Sequence, residues 1–141
     1  MANVVYNSFK KKIMDGSIDL DTDTIKVALV TSSYSPDKDN HDFFDDVQSY
    51  EVSGDGYTAG GATLNNKSVT QDNTNDRGVF DADDVTWSNS TITARGAVLY
   101  KDTGDPSTSP LICYFDFGED KSSSNGDFTI QWNADGILYI G

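Results

Sequence analysis

A single cysteine and a single histidine occur among the 141 residues, and basic side chains are scarce. With one histidine, any Ser-His-Asp or Cys-His arrangement must use His41, which lies in the acidic run Asp37-Lys38-Asp39-Asn40-His41-Asp42. That run lacks the strand-to-helix elbow that presents a nucleophile, so hydrolase chemistry is not expected. No glycine-rich run fits a phosphate cradle, and no residue spacing matches a recognised metal centre. No stretch approaches the ~20 apolar residues of a helical membrane span. Ten lysines and arginines face 23 aspartates and glutamates, for a net charge of −13 that repels phosphate backbones and anionic lipid. Direct contact with nucleic acid or a membrane is therefore not expected. Glutamate is nearly absent from the acidic set, and since aspartate favours turns where glutamate favours helix interiors, little helix is expected.

A chain of this length buries about 70% of its unfolded surface, enough for a self-sufficient core without disulfides or metals. One domain is expected over 1–141, with residues 1–16 as an N-terminal helix or arm and 17–141 as a β-sandwich. The N-terminus places Lys10, Lys11 and Lys12 after its apolar residues, the reverse of a secretory signal, so a soluble product made in the cytoplasm is expected. Asn66-Lys67-Ser68 and Asn89-Ser90-Thr91 match the glycosylation pattern but read as chance matches in a chain rich in Ser, Thr and Asn.

Val5, Phe9 and Ile13 recur at helical spacing, flanked by Tyr6 and Met14, and predict a helix over 3–15 with Gly16 as a left-handed cap. After Gly16 the period changes to alternation. Residues 24–31 read as a buried strand with Ile25, Val27 and Leu29 on one face. Asp42 to Val47 suggests one helical turn resting its phenylalanines on the core. Further strands are predicted over 62–64, 68–71, 78–82, 84–87, 92–100, 111–117, 128–132 and 136–140, separated by Asn, Asp, Gly and Ser turns, with loops over 102–109 and 120–126. Leu111, Cys113, Phe115 and Phe117 are expected on one face, which places the thiol in the core as a structural residue. The expected fold class is mainly β, an antiparallel β-sandwich or jelly-roll-like domain with one short N-terminal helix.

Two polar or aromatic constellations invite functional readings. In Asp19-Leu20-Asp21-Thr22-Asp23 the carboxylates alternate as in a calcium loop, but the sixth position is Thr24 and the twelfth is Val30, so the helix-loop-helix pattern fails. This run, 37–42 and 81–84 are read as solvated acidic turns, and no cofactor is implied. Tyr57, Tyr100, Tyr114, Tyr139, Trp87 and Trp132 offer a carbohydrate-stacking platform, although both tryptophans end strands with alternating neighbours, the habit of core residues.

The segment Gly56-Tyr57-Thr58-Ala59-Gly60-Gly61-Ala62-Thr63-Leu64 stands out, because its paired glycines imply a bulge or a backbone pressed closely against something. Together with Lys26 to Tyr34, Glu51-Val52, Phe80 to Trp87, Thr91 to Arg95 and Phe128 to Asn133, it resembles small structural proteins of tailed-bacteriophage virions. The resemblance spans nearly the whole chain and implies a virion protein with no catalytic residue. Such proteins serve in head decoration, in the neck or in the tail. Small size, acidity and the lack of repeats or a stalk favour a capsid decoration (cement) protein that binds the major capsid protein or other virion subunits, as a homo-oligomer, expected to be a trimer. A neck or tail component is the alternative, and a carbohydrate-binding receptor-tip module a further one. The expected subunit contacts are Val5, Phe9 and Ile13 in the N-terminal segment and Tyr57, Gly60 and Gly61 in the glycine-rich turn.

Overall fold

The computed structural model describes residues 2–141. Among these residues, ten strands form three antiparallel sheets. The central sheet has the order β1 (Val4–Val5), β8 (Leu111–Ser122), β7 (Thr93–Lys101), β2 (Ile25–Val30) and β3 (Ala62–Thr63). A second sheet joins β10 (Leu138–Ile140), β5 (Arg77–Asp81) and β4 (Ser68–Asp72), and a third pairs β6 (Val85–Ser90) with β9 (Gly126–Ile130). The fold is thus mainly β and sandwich-like, as the alternating patterns predict.

Both faces of the central sheet are covered. Ile25, Val27, Leu29, Ala97, Leu99 and Cys113 face the two smaller sheets through Phe80, Val85, Trp87, Phe128, Ile130 and Leu138. On the opposite face, Ala28, Val30, Val98 and Tyr114 pack with Tyr6, Tyr34, Phe44 and Val47. This explains why β2 reads Ile-Lys-Val-Ala-Leu-Val rather than a clean apolar–polar alternation, since only Lys26 stands clear of the core.

The N-terminal helix is shorter than predicted. α1 spans Asn7–Met14, and Val4 and Val5 instead pair with Tyr114 and Cys113 as an added edge strand of the central sheet. Two consecutive β-branched residues suit that extended backbone. Tyr6, extended and fully buried, makes the transition into the helix. The i, i+4, i+8 stripe therefore holds only for Phe9 and Ile13. Gly16 adopts φ +80°, the left-handed conformation its position implied.

The predicted common face of β8 also needs correction. Leu99 pairs with Cys113 but Tyr100 with Leu111, so a bulge absorbs one residue of β8. Leu111 is thereby turned to the Tyr6 side of the sheet, while Cys113, Phe115 and Phe117 keep the other face. The segment 120–126 is partly strand, because β8 continues to Ser122 before a turn carrying Asn125 at φ 49°. The turn predicted over 42–47 is a short 3-10 helix, Phe44–Asp46, that seats Phe44 against Tyr100 with ring centroids 4.1 Å apart.

Candidate functional site

The glycine-rich segment is tied into its own domain. β3 covers β2 only at Lys26 and Val27, and Glu51 bridges it again at Val30, which leaves the Leu29 N–H between them without a strand partner. The Tyr57 hydroxyl fills that gap, accepting from Leu29 N–H at 3.0 Å and donating to Glu51 Oε2 at 2.5 Å. The same carboxylate oxygen accepts the Gly60 N–H at 2.7 Å, and the Tyr100 hydroxyl donates to the Gly60 carbonyl at 2.5 Å. Gly61, at φ +82°, lies so close to β2 that a Cβ there would overlap the Val27 carbonyl oxygen. The expected subunit contacts Tyr57, Gly60 and Gly61 are thus engaged in intramolecular contacts. The paired glycines signalled a close approach, and the surface approached is the domain's own central strand.

Burial raises the Glu51 carboxyl above its ordinary value, and the hydrogen bonds from Tyr57 and Gly60 only partly oppose this. A raised folded-state value means that the associated stability is fully present below the unfolded carboxylate range and is lost as pH rises through the folded value. The lowered aspartates, among them Asp72, Asp102 and Asp116, act in the opposite sense, losing stability as pH falls. Comparing wild type with Glu51→Gln across this range isolates the Glu51 contribution. Wild-type unfolding free energy, relative to the variant, is expected to fall as pH rises from the unfolded carboxylate range and then level off. Urea titrations at a series of pH values check this, and a flat difference would show that Glu51 is not strained by burial.

The N-terminal candidates divide. Phe9 is 2% exposed and lies inside the core, whereas Val5 and Ile13 are half-buried at its edge. Phe9 therefore offers no surface to another subunit in this conformation. The three lysines each have a local partner: Lys10 donates to Asn7, Lys11 pairs with Asp15 at 3.2 Å, and Lys12 lies over the Phe43 ring.

The polar and aromatic alternatives do not assemble into sites. Asp37 N–H and the Tyr34 hydroxyl both donate to His41 Nδ1, at 3.2 and 3.0 Å, and Tyr6 donates in turn to Tyr34 at 2.6 Å. A backbone N–H can only donate, so the ring proton sits on Nε2, and the histidine acts as an acceptor fastening its loop. Cys113 is fully buried, and burial pushes its thiol well above the ordinary value. Asp19 accepts the N–H groups of Asp21 and Thr22, Asp23 pairs with Lys101 at 3.1 Å, and Asp37 accepts from Asp39 and Asn40. Among the described residues no group of three His, Cys, Asp or Glu side chains converges in a way that could hold a metal ion. Trp87, Trp132, Tyr100 and Tyr114 are all buried, with the Trp132 indole N–H donating to the Asp83 carbonyl. These four rings therefore present no platform at the surface for a sugar ring.

What remains open is an apolar groove. The three-stranded sheet buries Phe80 and its cross-strand neighbour Leu138 in the core, while Val69, paired with Phe80 on the outer strand, shares their face at the rim. The next row on the same face is Gln71, Gly78 and Ile140, of which Gly78 and Ile140 line the groove. Ile13, Gly16 and the Ile18 to Asp21 turn form the opposite wall, enclosing about 520 Å³. Ile18, Leu20, Phe80 and Leu138 are buried within it, while Val69 and Ile140 at the rim are 51% and 60% exposed. Met14, beside the lining residue Ile13, is 87% exposed. Of the expected contact residues, Ile13 alone reaches this groove. Sequence carried a faint signal for it: β4 places valine among serine, threonine and glutamine, and Met14 interrupts a lysine-rich helix end.

Compared with known proteins, the chain matches no family model, no curated protein and no solved structure.

Proposed function

We propose that the chain is a structural subunit of a tailed-bacteriophage particle, a capsid decoration (cement) protein that binds the major capsid protein, as a trimer, and stabilises the head. It acts by docking, not by catalysis. The observation that carries the docking part is the groove: Val69 and Ile140 stand exposed at the rim of a concave lining that is otherwise mostly apolar. Single exposed apolar residues are ordinary, whereas apolar residues gathered around a concave lining suit the seating of a partner's side chains. The histidine, the cysteine and the glycine-rich segment are all occupied with holding the fold, which favours a binding role over chemistry. The phage assignment itself is supported by the sequence resemblance alone.

Copy number tests this reading. Quantitative mass spectrometry of purified particles, with heads and tails separated, is expected to find the chain in the head fraction in near-stoichiometric ratio to the major capsid protein. A few copies confined to the tail fraction would replace decoration by a neck or tail role, and absence from the particle would end the virion reading.

A further inference from the structure

We propose that the groove between the end of α1 and the three-stranded sheet docks an apolar segment of a partner protein that is flanked by lysine or arginine. The inference deepens the docking role above and rests on it, but it is independent of which particle the chain joins. The floor and rim are apolar, through Leu20, Phe80, Leu138, Val69 and Ile140, and among the described residues the only charged side chains in the lining are Asp19 and Asp21. Hydrogen bonds from Thr22 and from the Asp21 N–H hold Asp19 below its ordinary range, so its negative charge persists at neutral pH.

The cations near the groove are engaged elsewhere, except that Lys67, which donates to the Asp23 carbonyl outside the lining, also lowers Asp19 through its charge. Arg77, on the opposite face of the sheet, contacts Asp72 at 3.1 Å and Asp135 at 3.9 Å and lies over the Tyr139 ring, and Lys11 pairs with Asp15. An acidic partner segment would meet Asp19 and Asp21 with no cation among the described lining residues to balance it. A second copy of this chain docking through the same groove is disfavoured for the same reason, since it would set Asp19 and Asp21 against the same two aspartates. A cationic, apolar segment satisfies both features: its side chains cover Val69 and Ile140, and its charges lie over the aspartate wall.

Two short labelled synthetic peptides test the specificity, one alternating valine with lysine and one alternating valine with glutamate, with binding followed by fluorescence anisotropy. The lysine peptide is expected to bind and the glutamate peptide not. Because any cationic peptide is attracted to so acidic a protein, the deciding variant is Val69→Ser with Ile140→Ser, which leaves the charge unchanged. Both residues are largely exposed, so the fold is expected to survive, as circular dichroism would verify. Affinity for the lysine peptide is expected to fall at least ~tenfold in this variant, a difference of about 1.4 kcal/mol. Asp19→Asn with Asp21→Asn is expected to weaken binding and to flatten its salt dependence. Unchanged binding in the serine variant, or equal binding of the two peptides, would overturn the proposal. So would a concentration-dependent dimer in sedimentation that the serine substitutions abolish, because the occupant would then be a second copy. A chain absent from particles that still binds the lysine peptide through Val69 and Ile140 would refute the virion reading and leave the groove's specificity intact.

Discussion

Gly61→Ala is expected to leave the chain unfolded or close to it, with a loss of more than ~4 kcal/mol against the 5–15 kcal/mol typical of a domain this size. Two costs combine. Residue 61 has φ +82°, where an L side chain costs about 1–2 kcal/mol by itself. The larger cost is steric, because the added Cβ would overlap the Val27 carbonyl oxygen and come within 2.8 Å of the Ala28 Cα. Those atoms belong to β2, which is paired to β7 along its whole length, from Ile25 to Val30, and packed on both faces, so they have nowhere to retreat. Two other glycines separate the conformational cost from the steric one. Gly16 has a similar φ of +80° with nothing within 4 Å of where a Cβ would stand, and its alanine variant is expected to lose only about 1 kcal/mol. Gly60, at φ +95° and with a Cβ position 3.4 Å from the Tyr100 hydroxyl, is expected to fall between them. Urea denaturation of the three variants supplies the comparison. A Gly61→Ala loss no larger than that of Gly16→Ala would mean that β2 and the glycine-rich turn are not in close apposition.

The same pair of strands shows which parts of the architecture could be read from residue order. Ile25, Val27 and Leu29 announce a buried strand by alternation, and Gly60-Gly61 announces that some backbone comes close. What alternation cannot encode is the second buried face. Ala28 and Val30 are apolar because Tyr34, Phe44 and Val47 cover them, and those residues arrive from a loop with no period of its own. The helix starts later than its apolar stripe for a related reason. Val5 fits the stripe locally, but an unpaired edge of β8 more than 100 positions away supplies competing hydrogen bonds to Val4 and Val5. Leu111 departs from its expected face because a bulge shifts facing by one residue without any mark in the apolar pattern. The groove was hardest to read, because Val69, Ile140 and Ile13 belong to three distant segments and each is ordinary alone. Only the cross-strand register puts Val69 beside Phe80 and Leu138, with Ile140 one row further on the same face, and only the packing of α1 brings Ile13 to that face.

Tyr57→Phe is expected to cost about 3 kcal/mol, a large effect for the removal of one oxygen atom. Two groups lose their partner at once. The Leu29 N–H would be left unsatisfied on a fully buried residue, worth about 1–3 kcal/mol, and Glu51 would lose a charge-assisted hydrogen bond of about 1.5–3 kcal/mol. The fold cannot compensate by shifting a strand, because β3 ends its pairing at Val27 and Gly61 already touches β2. Tyr100→Phe removes only a donor to the Gly60 carbonyl and is expected to cost about 1 kcal/mol, and Tyr50→Phe, at an exposed ring, close to nothing. The pH dependence distinguishes this account from a general loosening of the turn. The Tyr57 hydrogen bond is the largest of the influences that lower the Glu51 carboxyl against the burial that raises it, so in Tyr57→Phe the folded value rises further. Stability in that variant is then expected to keep falling with pH beyond the point where the wild type levels off. Combining the change with Glu51→Gln removes the titrating group, so the extra pH dependence disappears and the penalty shrinks toward that of the orphaned Leu29 N–H. If Tyr57→Phe costs no more than Tyr50→Phe, or if its penalty is the same at every pH and in both backgrounds, the phenol is not the link between the central strand and the glycine-rich turn.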